Sequence, residues 1–136
     1  MRRHCLREGL IWGLAVSGEP IGWTAKDDSL FERDMANPGR LPTRESALRV
    51  SRAFGGWIRD RFPDKQDAKG GYFVASADGP YKVLPSRKPE NERIRRRNGN
   101  FFSDQGQAHR ASEALRWLCQ RERDRFEESA VQSVRA

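Results

Sequence analysis

Six cations crowd into residues 86–100: Arg87, Lys88, Arg93, Arg95, Arg96 and Arg97, opposed only by Glu90 and Glu92. Arginine at this density suits phosphate, because the planar guanidinium presents a rigid fork of N–H donors that grips phosphate oxygens in pairs. Asn98-Gly99 follows, a dipeptide that favours the two-residue hairpin turn. The pattern predicts a strand over 93–97 that turns at Asn98-Gly99 and returns over 100–104. On that strand Arg93, Arg95 and Arg97 share one face, with Ile94 and Arg96 on the other. The spacing would be about 6–7 Å per step, close to that of phosphates along one nucleic-acid strand. Charged ribbons of this kind enter nucleic-acid grooves. The same charges also suit a solvated loop, an edge strand guarded against aggregation, or a patch that docks on an acidic protein.

Other reactive chemistry is sparse. The histidines are His4 and His109 and the cysteines Cys5 and Cys119, with no metal-ligand spacing between them. There is no phosphate-cradling glycine loop, and the acids are scattered. Asp104 and His109 are the residues a small nuclease would use. The expectation is a non-catalytic protein with no cofactor and no metal. Cys119 falls on an apolar helix face, where a reduced, buried thiol is the default, and this points to the cytoplasm. Trp117 precedes that face by one position. It is expected to be partly exposed, where it would stack on a base, anchor a partner or pack at the edge of the core. Arg116, Arg121, Arg123 and Arg125 alternate with Glu122, Asp124, Glu127 and Glu128 in the manner of a salt-bridged exposed face.

Net charge is +7 over 136 residues and is unevenly spread: +2 over residues 1–9, zero over 10–68 and +5 over 69–136. A basic half favours polyanionic partners. The basic arm bearing Arg2, Arg3, His4 and Arg7 would add phosphate contacts or be solvated. Residues 26–39 are the counterpart of the basic segment, yet they set Lys26 and Arg33 against Asp27, Asp28, Glu32 and Asp34. Opposite charge on the two segments implies either a division of labour or pairing between molecules into a homo-oligomer.

The elements that must position these residues come in duplicate. From Thr43, a plain N-cap, the residues Ala47, Val50, Phe54, Trp57 and Ile58 mark one helical face, and Pro63 ends the run. From Asp104, with Gln107 completing a capping box, the face is Ala108, Ala111, Leu115, Leu118 and Cys119. Taken in order, the apolar positions of the two faces correspond one to one at a single constant offset along the chain. Trp12, Leu14 and Val16 alternate as strand residues do, and Tyr72, Val74 and Ser76 answer them at an offset shorter by one position. Turn residues follow both runs, then Ile21 and Trp23 against Tyr81 and Val83. A short third strand is expected at Leu41 and at Phe102.

The fold expected is therefore α+β: two tandem β-β-(β)-α units with a pseudo-twofold internal repeat, each packing antiparallel strands on one helix. Residues 1–9 are a basic N-terminal arm, 10–62 unit one, 63–70 a linker, 71–126 unit two and 127–136 a frayed tail. Two units this small are expected to share a core. Arg2 and Arg3 before the apolar residues 10–16 imitate a signal peptide, but the run is short and Glu8 edges it. No run is long enough for a membrane helix, and no membrane partner is expected.

Residues 71–118, a hairpin, a third strand and a helix opening Ser-Asp-Gln-Gly-Gln-Ala, resemble in outline small three-strand-plus-helix modules. These include the arm-binding domain of tyrosine recombinases and double-stranded-RNA-binding-type units. A fold analogy of this kind transfers no individual residue and fixes no function. The leading expectation is a nucleic-acid-binding or ribonucleoprotein-associated accessory protein. The alternative is a small inhibitor or adaptor from a phage or plasmid, binding a nucleoprotein complex such as a CRISPR effector.

Overall fold

The structure, a computed structural model, describes residues 10–15, 18–24, 33, 36–62, 71–83, 90, 93 and 99–135. The elements run β1 (Leu10–Leu14), β2 (Pro20–Thr24), α1 (Arg44–Arg61), β3 (Tyr72–Ser76), β4 (Gly79–Val83) and α2 (Gln105–Arg135). The class is α+β, with two antiparallel two-stranded sheets, β1-β2 and β3-β4, and two helices.

Alternation builds the hairpins. In β1 Trp12 and Leu14 turn towards the main core, and in β3 and its turn Phe73, Ala75 and Ala77 do so. Trp12 lies opposite Gly22, where a Cβ would come within 3.1 Å of the indole, so glycine leaves the ring its place across the strand. Ile11 and Tyr72 are buried as well but stand outside the main core, and Tyr72 stacks on Phe101 with ring centroids 4.2 Å apart. Both sheets therefore bury residues of each parity.

Each hairpin gains a third segment through one bridge. Trp12 and Leu41 exchange N–H···O bonds of 3.1 and 2.9 Å, and Phe73 and Phe102 exchange bonds of 2.7 and 2.9 Å. The third strand expected in each half is only this long, for separate reasons. Pro42 follows Leu41 and has no N–H to donate. In the other half, Asn100 takes the next rung with its side chain. Its Oδ1 accepts from Ala75 N at 2.6 Å, and its Nδ2 donates to Ala75 O at 2.9 Å.

The bridges fall on Trp12 with Leu41 and on Phe73 with Phe102, so the bridged residues are separated by the offset that relates the two helix faces, one position more than the offset read for the strands. The cause lies in the turns. Only Ala77 and Asp78 separate Ser76 from Gly79, whereas the first hairpin closes through a longer turn in which Ala15 N–H donates to Glu19 O and Gly18 N–H to Ala15 O. With the shorter turn Lys82 faces the bridged Phe73, as Gly22 faces the bridged Trp12.

Helix α1 starts where Thr43, in extended conformation, accepts the Ser46 N–H on Oγ1 at 3.0 Å. It ends where Phe62 N–H returns to Ile58 O, just before Pro63. Asp104 caps α2 by accepting Gln107 N–H at 3.0 Å, while Gln107 Oε1 is buried without a partner, so only the forward half of the expected capping box forms. Helix α2 continues to Arg135 through the residues expected to fray. No Gly or Pro occurs from Gln107 onward to break it.

The two helices pack antiparallel, as the Arg49–Glu122 and Phe62–Phe102 contacts require. Ala47, Val50, Phe54 and Ile58 of α1 join Ala108, Ala111, Leu115 and Cys119 of α2, with Leu41, Ala75, Ala77 and Phe102, in a single core. Burying a side chain such as Phe54 or Leu115 contributes about 1.5–3 kcal/mol. Each helix also holds its own hairpin: Ser51 Oγ donates to Gly18 O at 2.5 Å, and Ser76 N–H donates to Ser112 Oγ at 3.3 Å. Among the described residues no helix is long and apolar enough to cross a membrane. The N-terminal arm, 1–9, and the linker, 63–70, lie outside the described residues.

Candidate nucleic-acid interface

Of the six cations in residues 86–100, Arg93 alone is described; Arg87, Lys88, Arg95, Arg96 and Arg97 lie outside the described residues. Arg93 is exposed and helical, as is Glu90. The extended strand expected from Arg93 onward is therefore not the conformation at its first residue. In the return segment Phe102 spends both backbone groups on Phe73, and Phe101 N–H donates to Gly99 O at 2.9 Å. The segment after Asn98-Gly99 thus bridges β3, and the expected hairpin partner over 94–97 lies outside the described residues. Gly99 does turn the chain, with φ +83°, and sits so close to α1 that a Cβ would lie 3.0 Å from Ile58 Cγ2.

Trp117 is brought to the surface by α2. Its neighbours in sequence, Leu118 and Cys119, face inward, and the indole remains 59% exposed. The guanidinium of Arg121, one turn on, lies 5.2 Å from the ring centroid. The acids nearest along the helix are engaged elsewhere. Glu113 meets His109 Nε2 at 3.1 Å, and Asp124 accepts from Gln120 Nε2 at 2.9 Å. Arg116 donates through Nε to Ala77 O at 2.7 Å, tying this stretch of α2 to the β3-β4 turn. Among the described residues Arg110 and Arg121 have no carboxylate partner.

The alternating charges at the end of α2 are not all solvated. Glu122 is buried at 7% exposure and is held by Arg49 Nε of α1 at 2.5 Å and by Arg125 Nη1 at 3.2 Å. Arg123 donates to Asn37 O at 3.3 Å. A glutamate among arginines reads as surface, yet Glu122 continues the helical phase of Leu115 and Cys119, in line with the buried stripe. That phase is the signal sequence reasoning passed over.

The residues that a hydrolase would use are dispersed. Asp104 serves as a helix cap, and His109 pairs with Glu113 on the exposed side of α2. Burial pushes the Cys119 thiol up to about 12, so it stays protonated at neutral pH. At the turn of the second hairpin, Ser76 Oγ donates to Asp78 Oδ1 at 2.8 Å. That bond is the main cause holding the Asp78 carboxyl below its ordinary range, and the same carboxylate raises the Tyr81 phenol. Among the described residues no three His, Cys, Asp or Glu gather as metal ligands would. No protein-family model, curated protein or solved structure matches the chain.

Proposed function

We propose that the chain is two copies of one β-β-(β)-α unit, residues 10–62 and 71–126, related by a pseudo-twofold axis. A single offset along the chain supports this. It relates the two bridges and also four buried helix pairs: Ala47 and Ala108, Val50 and Ala111, Phe54 and Leu115, Ile58 and Cys119. Contacts between the halves support it too. Phe62 meets Phe102 edge to face at 5.5 Å, and Arg123, the counterpart of Phe62 at the same offset, reaches the segment leading to Leu41.

On this frame the protein acts as a non-catalytic nucleic-acid-binding or ribonucleoprotein-associated accessory protein. The observation that carries this reading is the charge imbalance, zero over residues 10–68 against +5 over 69–136, concentrated in Arg87, Lys88, Arg93, Arg95, Arg96 and Arg97. On this reading the basic half carries the polyanion-binding surface. The test is binding to duplex DNA, single-stranded DNA and duplex RNA across a salt series. Roughly four to six phosphate contacts on B-DNA give a slope of log affinity against log salt of about −4 to −5. The triple variant Arg93→Glu, Arg95→Glu, Arg97→Glu abolishes binding. Unchanged affinity in that variant removes the basic segment from the interface.

A protein-binding inhibitor or adaptor is the second reading, favoured by Ile21 and Tyr81, each about half exposed on the outer strands β2 and β4. A partner captured from a nuclease-treated bacterial lysate supports it over the first.

A further inference from the structure

We infer that Trp117 and Arg121 form a stacking platform for an unpaired nucleobase, so that the nucleic acid bound is single-stranded; this rests on the nucleic-acid reading above. An indole is the largest apolar group a helix can leave in water, and α2 leaves this one 59% exposed while its buried stripe faces the core. Arg121 lies over the ring at 5.2 Å and has no carboxylate among the described residues to neutralise it. Glu113 and Asp124, the acids nearest the patch on α2, contact His109 and Gln120 rather than Arg121. Arg121 covers one face of the indole, which leaves the opposite face to a base, in the basic half of the chain. A base stacks on such a face irrespective of sequence, and the adjacent cation takes its phosphate. In a duplex the base faces are buried within the stack, so this recognition selects unpaired strands.

The test uses the full chain and fluorescently labelled oligo-dT of about 15 nucleotides, the upper range for a single stacking module. A mixed-sequence duplex of equal length is the comparison. Trp117→Ala weakens oligo-dT binding roughly five- to hundredfold, while Trp117→Phe, which keeps a ring, stays within roughly threefold. Arg121→Gln makes the salt slope shallower by about 0.7, one phosphate on a single strand. Duplex binding is the weaker of the two in the parent and is unmoved by Trp117→Ala. Thermal melts of the variants match the parent, since neither side chain lies in the core. Oligo-dT binding that survives Trp117→Ala overturns the platform while leaving the nucleic-acid reading in place, as does a protein partner lost in that variant with oligo-dT binding unchanged. Absence of binding to any nucleic acid at low salt overturns both.

Discussion

Replacing Arg49 should destabilise the protein more than replacing Glu122, although the two form one ion pair. Glu122 has 8% of its side chain exposed, whereas Arg49 and Arg125 have 49% and 58%. Glu122→Met removes a carboxylate that is costly to desolvate and releases two guanidiniums that already reach water. Its net cost is about 1 kcal/mol. Arg49→Met leaves the buried carboxylate with Arg125 alone, at 3.2 Å. The cost of breaking a buried pair is about 3–5 kcal/mol, and the remaining partner and partial exposure reduce it to about 2–3 kcal/mol. The double variant falls near 1 kcal/mol, because no stranded charge remains, which gives a coupling of about 2–3 kcal/mol. Urea unfolding followed by far-ultraviolet circular dichroism reads all four proteins, and the Arg49 variant melts about 10 °C below the parent. Equal losses in the two single variants, or losses that simply add in the double, would refute the claim that Glu122 is held as a desolvated charge between the helices.

Two further outcomes follow from the packing. Gly99→Ala costs about 1–3 kcal/mol by denaturant unfolding, because φ is +83° and the added methyl meets Ile58 Cγ2 at 3.0 Å; a neutral result refutes the close approach of the loop to α1. Burial raises the Cys119 thiol from an ordinary value of 9.0 to about 12. Its stabilising contribution is therefore complete below pH 9, and it declines as the pH rises from there towards 12, because the unfolded thiol ionises first. Cys119→Ala flattens the alkaline decline in melting temperature, and disulfide reagents label the folded parent slowly at neutral pH; rapid labelling refutes the burial.

The helices were legible because their signals are local. Thr43 and Asp104 cap at the positions their side chains suggest, and the stripes at 47, 50, 54, 58 and at 108, 111, 115, 119 are the buried ones. The strands were legible in kind but not in phase. Ile11, Trp12, Tyr72 and Phe73 are all bulky, and both parities are buried, so alternation alone does not choose a face. The turn lengths that set the phase are a tertiary matter. Asn98-Gly99 was read as a hairpin turn, while the bridge of Phe102 to Phe73 depends on a partner far upstream in β3. Glu122 was missed because a buried carboxylate is defined by its partner, Arg49, on the other helix. Trp117 was singled out by its phase, one position ahead of Leu118.

The joint core imposes an order of events during synthesis. Ala47, Val50, Phe54 and Ile58 leave the ribosome well ahead of Ala108, Ala111, Leu115 and Cys119, which complete the same cluster. At about 5–20 residues per second that lag is roughly 3–12 seconds. Through that interval the nascent first half displays an apolar helix flank with nothing to close over it, long enough for a chaperone to engage it or for two neighbouring nascent chains to meet. Placing the halves in one polypeptide shortens this exposed interval compared with separate subunits that must find each other by diffusion.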